Sequence, residues 1–107
     1  VDDMMLELIW IHFIADFLLQ SHKMSINKSK NFYWLCWHCI IYGLPFLLFG
    51  LNFALAVIGW HLIIDFVTSK ITSRLWKANE YHWFFCVIGF DQALHLTILY
   101  MLANGNI

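Results

Sequence analysis

Seven residues able to hold a cation or pass a proton stand inside long apolar stretches of this 107-residue chain: His12, Asp16, His38, His61, Asp65, Asp91 and His95. All but His38 fall into pairs four residues apart, His12/Asp16, His61/Asp65 and Asp91/His95. On an α-helix, residues four apart share one face and are separated by about 6 Å of rise. Each pair therefore presents an imidazole and a carboxylate to the same side. That combination suits zinc, with manganese or iron as alternatives, rather than calcium or copper(I). Four His and three Asp are enough ligands for one or two divalent ions, in the manner of metal sites built between bundle helices. The plainer alternative is that each His hydrogen-bonds the Asp one turn away and the cluster only glues helices together. A proton relay is the third reading.

The elements that must position these groups are membrane-crossing helices. Hydrophobic residues make up 62% of the chain and charged residues 12%, against roughly 45–50% and 25% in an ordinary soluble domain. So few charges cannot cover a soluble globule of this size. The net charge of -1 gives no footprint for a nucleic-acid partner. The expected fold is all-α, a single integral membrane four-helix bundle with spans at about 4–20, 32–50, 53–68 and 81–103, the third running on toward Trp76. The apolar runs are too long for strands and lack period-two alternation.

The basic residues set the orientation. Lys23, Lys28 and Lys30 lie between the first two spans, and Lys70, Arg74 and Lys77 between the last two. The excess of Lys and Arg on the inner side places loops 21–31 and 69–80 in the cytoplasm and both termini outside a bacterial inner membrane. The acidic start, Val1-Asp2-Asp3, fits a short translocated tail. Spans one and three then run inward with His before Asp, and span four runs outward with Asp before His. The order of residues reverses with the direction of the helix, so the His share one layer and the Asp another, closer to the cytoplasm. His38 joins the His layer. An ionisable group in a bilayer is a functional-site hypothesis by default. With no Lys or Arg inside the spans, the carboxylates need a divalent cation, imidazolium or protons to neutralise them.

Several further features carry expectations. Ile9–Phe17 resembles Ile58–Phe66, which suggests two similar helical hairpins. Pro45 should kink or loosen span two. Gly43, Gly59 and Gly89 should allow close helix contact. Gln20 and Gln92 suit interhelical hydrogen bonds, Gln92 on a different face from Asp91. Lys23 and Lys70 are expected to snorkel to the interface or to meet a lipid phosphate. Polar Ser21, Ser25, Asn27, Ser29 and Asn31 make a flexible first loop, and His22 and His82 are expected to be solvated. Cys36 and Cys39 flank His38 as C-x-x-C but read as small packing residues in an apolar helix. Trp34, Trp76 and Trp83 suit an interfacial belt, and Trp37 and Trp60 the bundle interior.

Three stretches together, His12-Phe13-Ile14-Ala15-Asp16-Phe17-Leu18-Leu19-Gln20, His61-Leu62-Ile63-Ile64-Asp65 and Asp91-Gln92-Ala93-Leu94-His95, resemble a family of small bacterial and phage membrane proteins, domain of unknown function 3307. The pattern is H-x-x-x-D-F-x-x-Q, a His in the second span, H-x-x-x-D, then D-Q-x-x-H, and it covers nearly the whole chain. The family name implies no activity. In style the motifs are also similar to membrane-bound metal-dependent hydrolases, at the level of class alone.

The functional expectation is a membrane-embedded metal-dependent hydrolase acting on a lipid or lipid-linked substrate that enters from the inner leaflet. The metal ligands would come from His12, Asp16, His38, His61, Asp65, Asp91 and His95. A carboxylate left free, Asp16 or Asp91, would act as general base. The alternatives are a proton- or metal-conducting subunit, which predicts a homo-oligomer, and an accessory subunit of a larger membrane complex with a structural His/Asp core.

Overall fold

The computed structural model describes residues 2–21, 24 and 27–105. His22, Lys23, Ser25 and Val1 lie outside the described residues, and so do the expectations attached to them. Four helical stretches succeed one another, with no strand among the described residues. Helix α1 (Asp2–Phe13) passes without interruption into a π-helical turn, Ile14–Leu18. The Leu19 N–H donates to the Ile14 carbonyl at 2.9 Å and closes that wider turn. Helix α2 (Phe32–Gly43) starts at Asn31, whose side-chain oxygen accepts from the Tyr33 N–H at 2.9 Å. This satisfies one of the free amides of the first turn.

Pro45 then acts as expected, by loosening rather than breaking the helix. It has no N–H to donate to the i−4 carbonyl, and α2 continues as a 3₁₀ helix over Leu44–Phe49. Gly50, at φ 111°, reverses the chain. Helix α3 (Leu51–Lys77) is the longest element at 27 residues, or about 40 Å at 1.5 Å per residue. Asn79, at φ 60°, turns the chain into α4 (Tyr81–Ala103); Asn tolerates that left-handed conformation better than most residues.

The helices close a ring. Helix α3 packs along both α2 and α4, α1 packs along α4, and the π turn meets α2. Gly43 sits where α2 presses on α3, since a methyl group there would collide with the Ile58 side chain. Gly59 and Gly89 face open space, so the expected close approach occurs at Gly43 and not at the other two.

The distribution of polarity is inverted relative to a soluble protein. The seven His and Asp residues of the apolar stretches are all buried, while Leu48 is 83% exposed, Leu18 67%, Leu51 64% and Phe85 63%. Trp37 and Trp60 also point outward, correcting the expectation that they fill the bundle. Among the described residues three helical stretches are long and apolar enough to cross a membrane: Phe32–Phe49, Leu51–Lys77 and Tyr81–Ala103. The first stretch is shorter, a 12-residue α-helix continued by a 5-residue π turn.

Along the bundle axis the buried residues form layers set by helical register. Leu8, Tyr42, Val57 and Leu99, all buried, each lie four residues from a His and on the same side of the His layer. They belong to an apolar cluster with Phe46 and Ala54. On the other side of the His layer come the carboxylates, and beyond them Thr68, Ser69 and Thr72 of α3, which are also buried.

Candidate metal centre

The imidazoles of all four helices form one contiguous row. His38 and His61 ring centroids are 5.0 Å apart, His61 and His95 stack at 4.1 Å, and His95 and His12 lie at 5.8 Å. Three of the rings direct Nε2 at carboxylates. His38 Nε2 is 3.1 Å from Asp16 Oδ1 and 3.2 Å from Asp65 Oδ2. His61 Nε2 is 3.4 Å from Asp65 Oδ2, and His95 Nε2 is 3.3 Å from Asp65 Oδ1 and 3.2 Å from Asp91 Oδ1. The layering read from residue order is therefore present, and it is tighter than pairs within single helices would make it.

Two sets of side chains have ligand atoms that all lie within 4.8 Å of one another: Asp16, His38, His61 and Asp65, and Asp16, Asp91 and His95. Asp16 belongs to both. A carboxylate has two oxygens, so one Asp can serve two ions. The π turn supplies that side chain: it carries Asp16 at its centre, on the segment of the first helix that meets α2. Such turns recur at functional sites.

The first set is crowded with acceptors. His38 Nε2 and His61 Nε2 face each other at 3.0 Å, and both also face carboxylate oxygens. If both nitrogens carry protons, two donors oppose each other. If one does not, its lone pair faces a carboxylate. No choice of neutral tautomers satisfies every contact, whereas a single cation among the four atoms would satisfy all of them. His61 Nδ1 is buried without a hydrogen-bond partner. That ring is oriented by stacking instead, between Tyr42 at 3.9 Å and His95 at 4.1 Å.

His12 is placed differently from the other three and belongs to neither set of ligand atoms. Its Nε2 is 2.6 Å from Gln92 Oε1, which can only accept, and its Nδ1 is 2.7 Å from the Tyr42 hydroxyl. The network therefore assigns the proton to Nε2 and leaves Nδ1 to accept from Tyr42. The Gln92 amide, fixed by that bond, donates to Asp16 Oδ2 and to Asp91 Oδ2, each at 3.2 Å. Tyr42, His12 and Gln92 thus form a relay that orients two carboxylates. Asp91 also accepts from the Thr68 hydroxyl at 2.6 Å.

Sequence reasoning placed Gln92 correctly between helices but on a face apart from Asp91, which it in fact touches. It did not assign Tyr42 a role in the site. Lys28 was counted only as a loop cation. Its Nζ reaches Asp65 Oδ2 at 3.3 Å, with the Lys side chain 20% exposed. The expectation that no basic residue neutralises the carboxylates is thereby corrected. Burial by itself would lower the pKa of this ammonium; the Asp65 carboxylate, with Asp16 behind it, outweighs burial and holds it above the ordinary lysine value. No local pattern marked Lys28, because a long side chain on a loop is positioned by tertiary structure rather than by helical spacing.

A cavity of about 450 Å³ opens beside the cluster. Asp65 and Asp91, one from each set of ligand atoms, lie in its wall, as do Gln20, Ser69 and Lys28. Gln20 Oε1 is buried there without a partner, so that oxygen does not make the expected interhelical bond. The three cysteines are free, Cys39 buried and Cys36 half-buried.

The fold and site together define an all-helical protein with apolar helices of membrane-crossing length around a buried His/Asp cluster fit to hold a metal ion. The chain belongs to the family described as Protein of unknown function (DUF3307), whose model matches residues 4–107. No curated protein and no solved structure matches it.

Proposed function

We propose that this protein is a four-span membrane protein with a divalent metal centre, and that it hydrolyses a lipid or lipid-linked substrate from the cytoplasmic side. The observation that carries the reading is that each set of ligand atoms contributes a carboxylate to the wall of the same cavity. A structural polar core has no need of such an opening, whereas a hydrolytic centre needs water and substrate at the metal. A divalent cation held by these residues would supply Lewis acidity, which activates water and polarises the bond to be cleaved. Asp91 lines the cavity and is steadied by Thr68 and Gln92, which suits it to accept the proton of the attacking water. Asp16 offers ligand atoms to both sets and would help hold the metal rather than act as the base. His38, His61, Asp65 and His95 complete the ligands, and His12 acts through Gln92 as a positioning residue.

Zinc fits the donor set, with manganese or iron as alternatives. In this reading the first helix crosses the membrane with the other three, and the basic loops face the cytoplasm. Conduction is the weaker reading: beyond the His layer, among the described residues, stands a buried cluster of Leu8, Phe46, Val57 and Leu99 with Tyr42, whose hydroxyl is taken up by His12. The test is metal content by mass spectrometry of the detergent-purified protein beside a His61→Ala/Asp65→Ala variant, and then turnover of a total lipid extract. Stoichiometric metal lost in the variant, with parent-only release of a water-soluble or de-esterified product, is the expected result. A parent that stays metal-free after reconstitution with zinc, manganese and iron would sink the proposal.

A further inference from the structure

The cavity also has a chemical character at its cytoplasmic end that the metal cluster does not explain. Ser69 is 7% exposed, lines the cavity, and its hydroxyl has no hydrogen-bond partner. A helical Ser or Thr ordinarily returns its hydroxyl to a carbonyl one turn back, as Thr97 does to Ala93. Ser69 does not. A buried hydroxyl without a partner costs stability unless a ligand supplies one. The same wall holds Thr72 and Ser73, and Lys30 and Lys77 line it nearer the loops. A smaller groove continues from it, sharing Lys30, Ser73 and Lys77 and adding Lys70 and Arg74. Every Lys and Arg among the described residues lines one of these two spaces. One end of the cavity is therefore acidic, at Asp65 and Asp91, and the other carries ammonium groups and hydroxyl donors.

We infer that this cavity binds a phosphate group, with the Ser69 hydroxyl and the Lys30 and Lys77 ammonium groups as its donors and the metal centre on its other side. Phosphate matches both ends at once. Its oxygens accept from hydroxyl and ammonium groups, and a divalent cation, added to the Lys28 ammonium already on Asp65, would offset the Asp65/Asp91 carboxylates at the other end. The inference rests on the proposed metal centre for that second contact and narrows the substrate to a phosphate ester. Phosphate and metal should then bind cooperatively, each tightening the other by the same factor.

The experiment is calorimetric titration of the full chain in a non-ionic detergent, zinc-loaded and chelator-treated, with inorganic phosphate and, in a parallel arm, dihexanoyl phosphatidic acid. Ser69→Ala and Lys77→Gln are compared with the parent, and metal content is measured in each. Ser69→Ala removes only an unpartnered hydroxyl, so a purely structural role predicts unchanged or slightly improved stability and no effect on titration. The expected result is saturable binding, weakened about tenfold by either substitution, the worth of one charge-assisted hydrogen bond, at parent metal content. Binding of the phosphatidic acid alone identifies a lipid headgroup as the source, and comparable binding of both probes identifies the phosphate itself. Loss of binding in the variants upholds the phosphate site even if the protein holds no metal, which would end the metal reading alone. Absence of binding in both zinc-loaded and chelator-treated parent, or equal binding by parent and Ser69→Ala, overturns the inference.

Discussion

Asp16 and Lys28 show how single side chains divide the work of charge neutralisation. Because Asp16 offers ligand atoms to both sets, Asp16→Asn should lower metal content at both positions. Asp91→Asn should spare the ion of Asp16, His38, His61 and Asp65, and mass spectrometry of the two variants distinguishes the cases. Lys28 neutralises Asp65 when no ion is present. In metal-free protein Lys28→Met should cost about 3 kcal/mol, as expected on breaking a buried pair, and much less once zinc is loaded; denaturant titration in detergent measures both. The sign of its pH dependence is defined. The Lys28 pKa is raised above the ordinary 10.5, so its contribution is fully present below that value and is lost only as pH climbs through the raised one. The stability gap between parent and Lys28→Met should accordingly stay flat through neutral pH and close in strong alkali. At this scale the seven His and Asp were legible because a charge in an apolar helix has few explanations. Tyr42 and Lys28 were not, because a Tyr in an aromatic-rich helix and a Lys in a loop are ordinary until the fold brings them to a carboxylate.

Among the elements, the π turn at Ile14–Leu18 has the clearest consequence. Its hydrogen-bonded ring spans one residue more than an α-turn, so deleting one residue restores regular helix and withdraws Asp16 from the widened turn that presents it to α2. Deleting Ile14, whose side chain is exposed, should keep the circular-dichroism signal of helix while metal content falls. The packing of α2 on α3 makes a second prediction. Gly43→Leu must push into Ile58, and overpacking of that kind costs typically about 1–3 kcal/mol, readable by thermal unfolding. Helix positions were legible from hydropathy, and the loosening of α2 from Pro45. The π turn was not, since nothing in Ile14-Ala15-Asp16-Phe17-Leu18 breaks an α-helix locally; the turn answers a tertiary demand. Gly59 and Gly89 show the converse, residues with a motif-like look that face no neighbour.

The whole molecule measures 41 Å on its long axis, against about 30 Å of hydrocarbon. In the proposed orientation that excess would carry Lys70, Arg74 and Lys77 at the end of α3 past the bilayer. Reporter enzymes fused after Asn104 and inserted at Asn79 should report the outer and inner sides respectively, and the opposite pattern would overturn the orientation read from the basic loops. The buried contacts also bear on how the chain is made. Asp16 takes its contacts from His38 and Gln92, Asp65 from Lys28, His38, His61 and His95, and Asp91 from Thr68 as well as Gln92 and His95. Helix α4 leaves the ribosome after the other three and brings Gln92 and His95 with it. Until that moment the carboxylates of the earlier helices are incompletely matched. The emergence of α4 is thus the step that satisfies the interior, and a chain halted before it should be removed by proteases far faster than one that includes it.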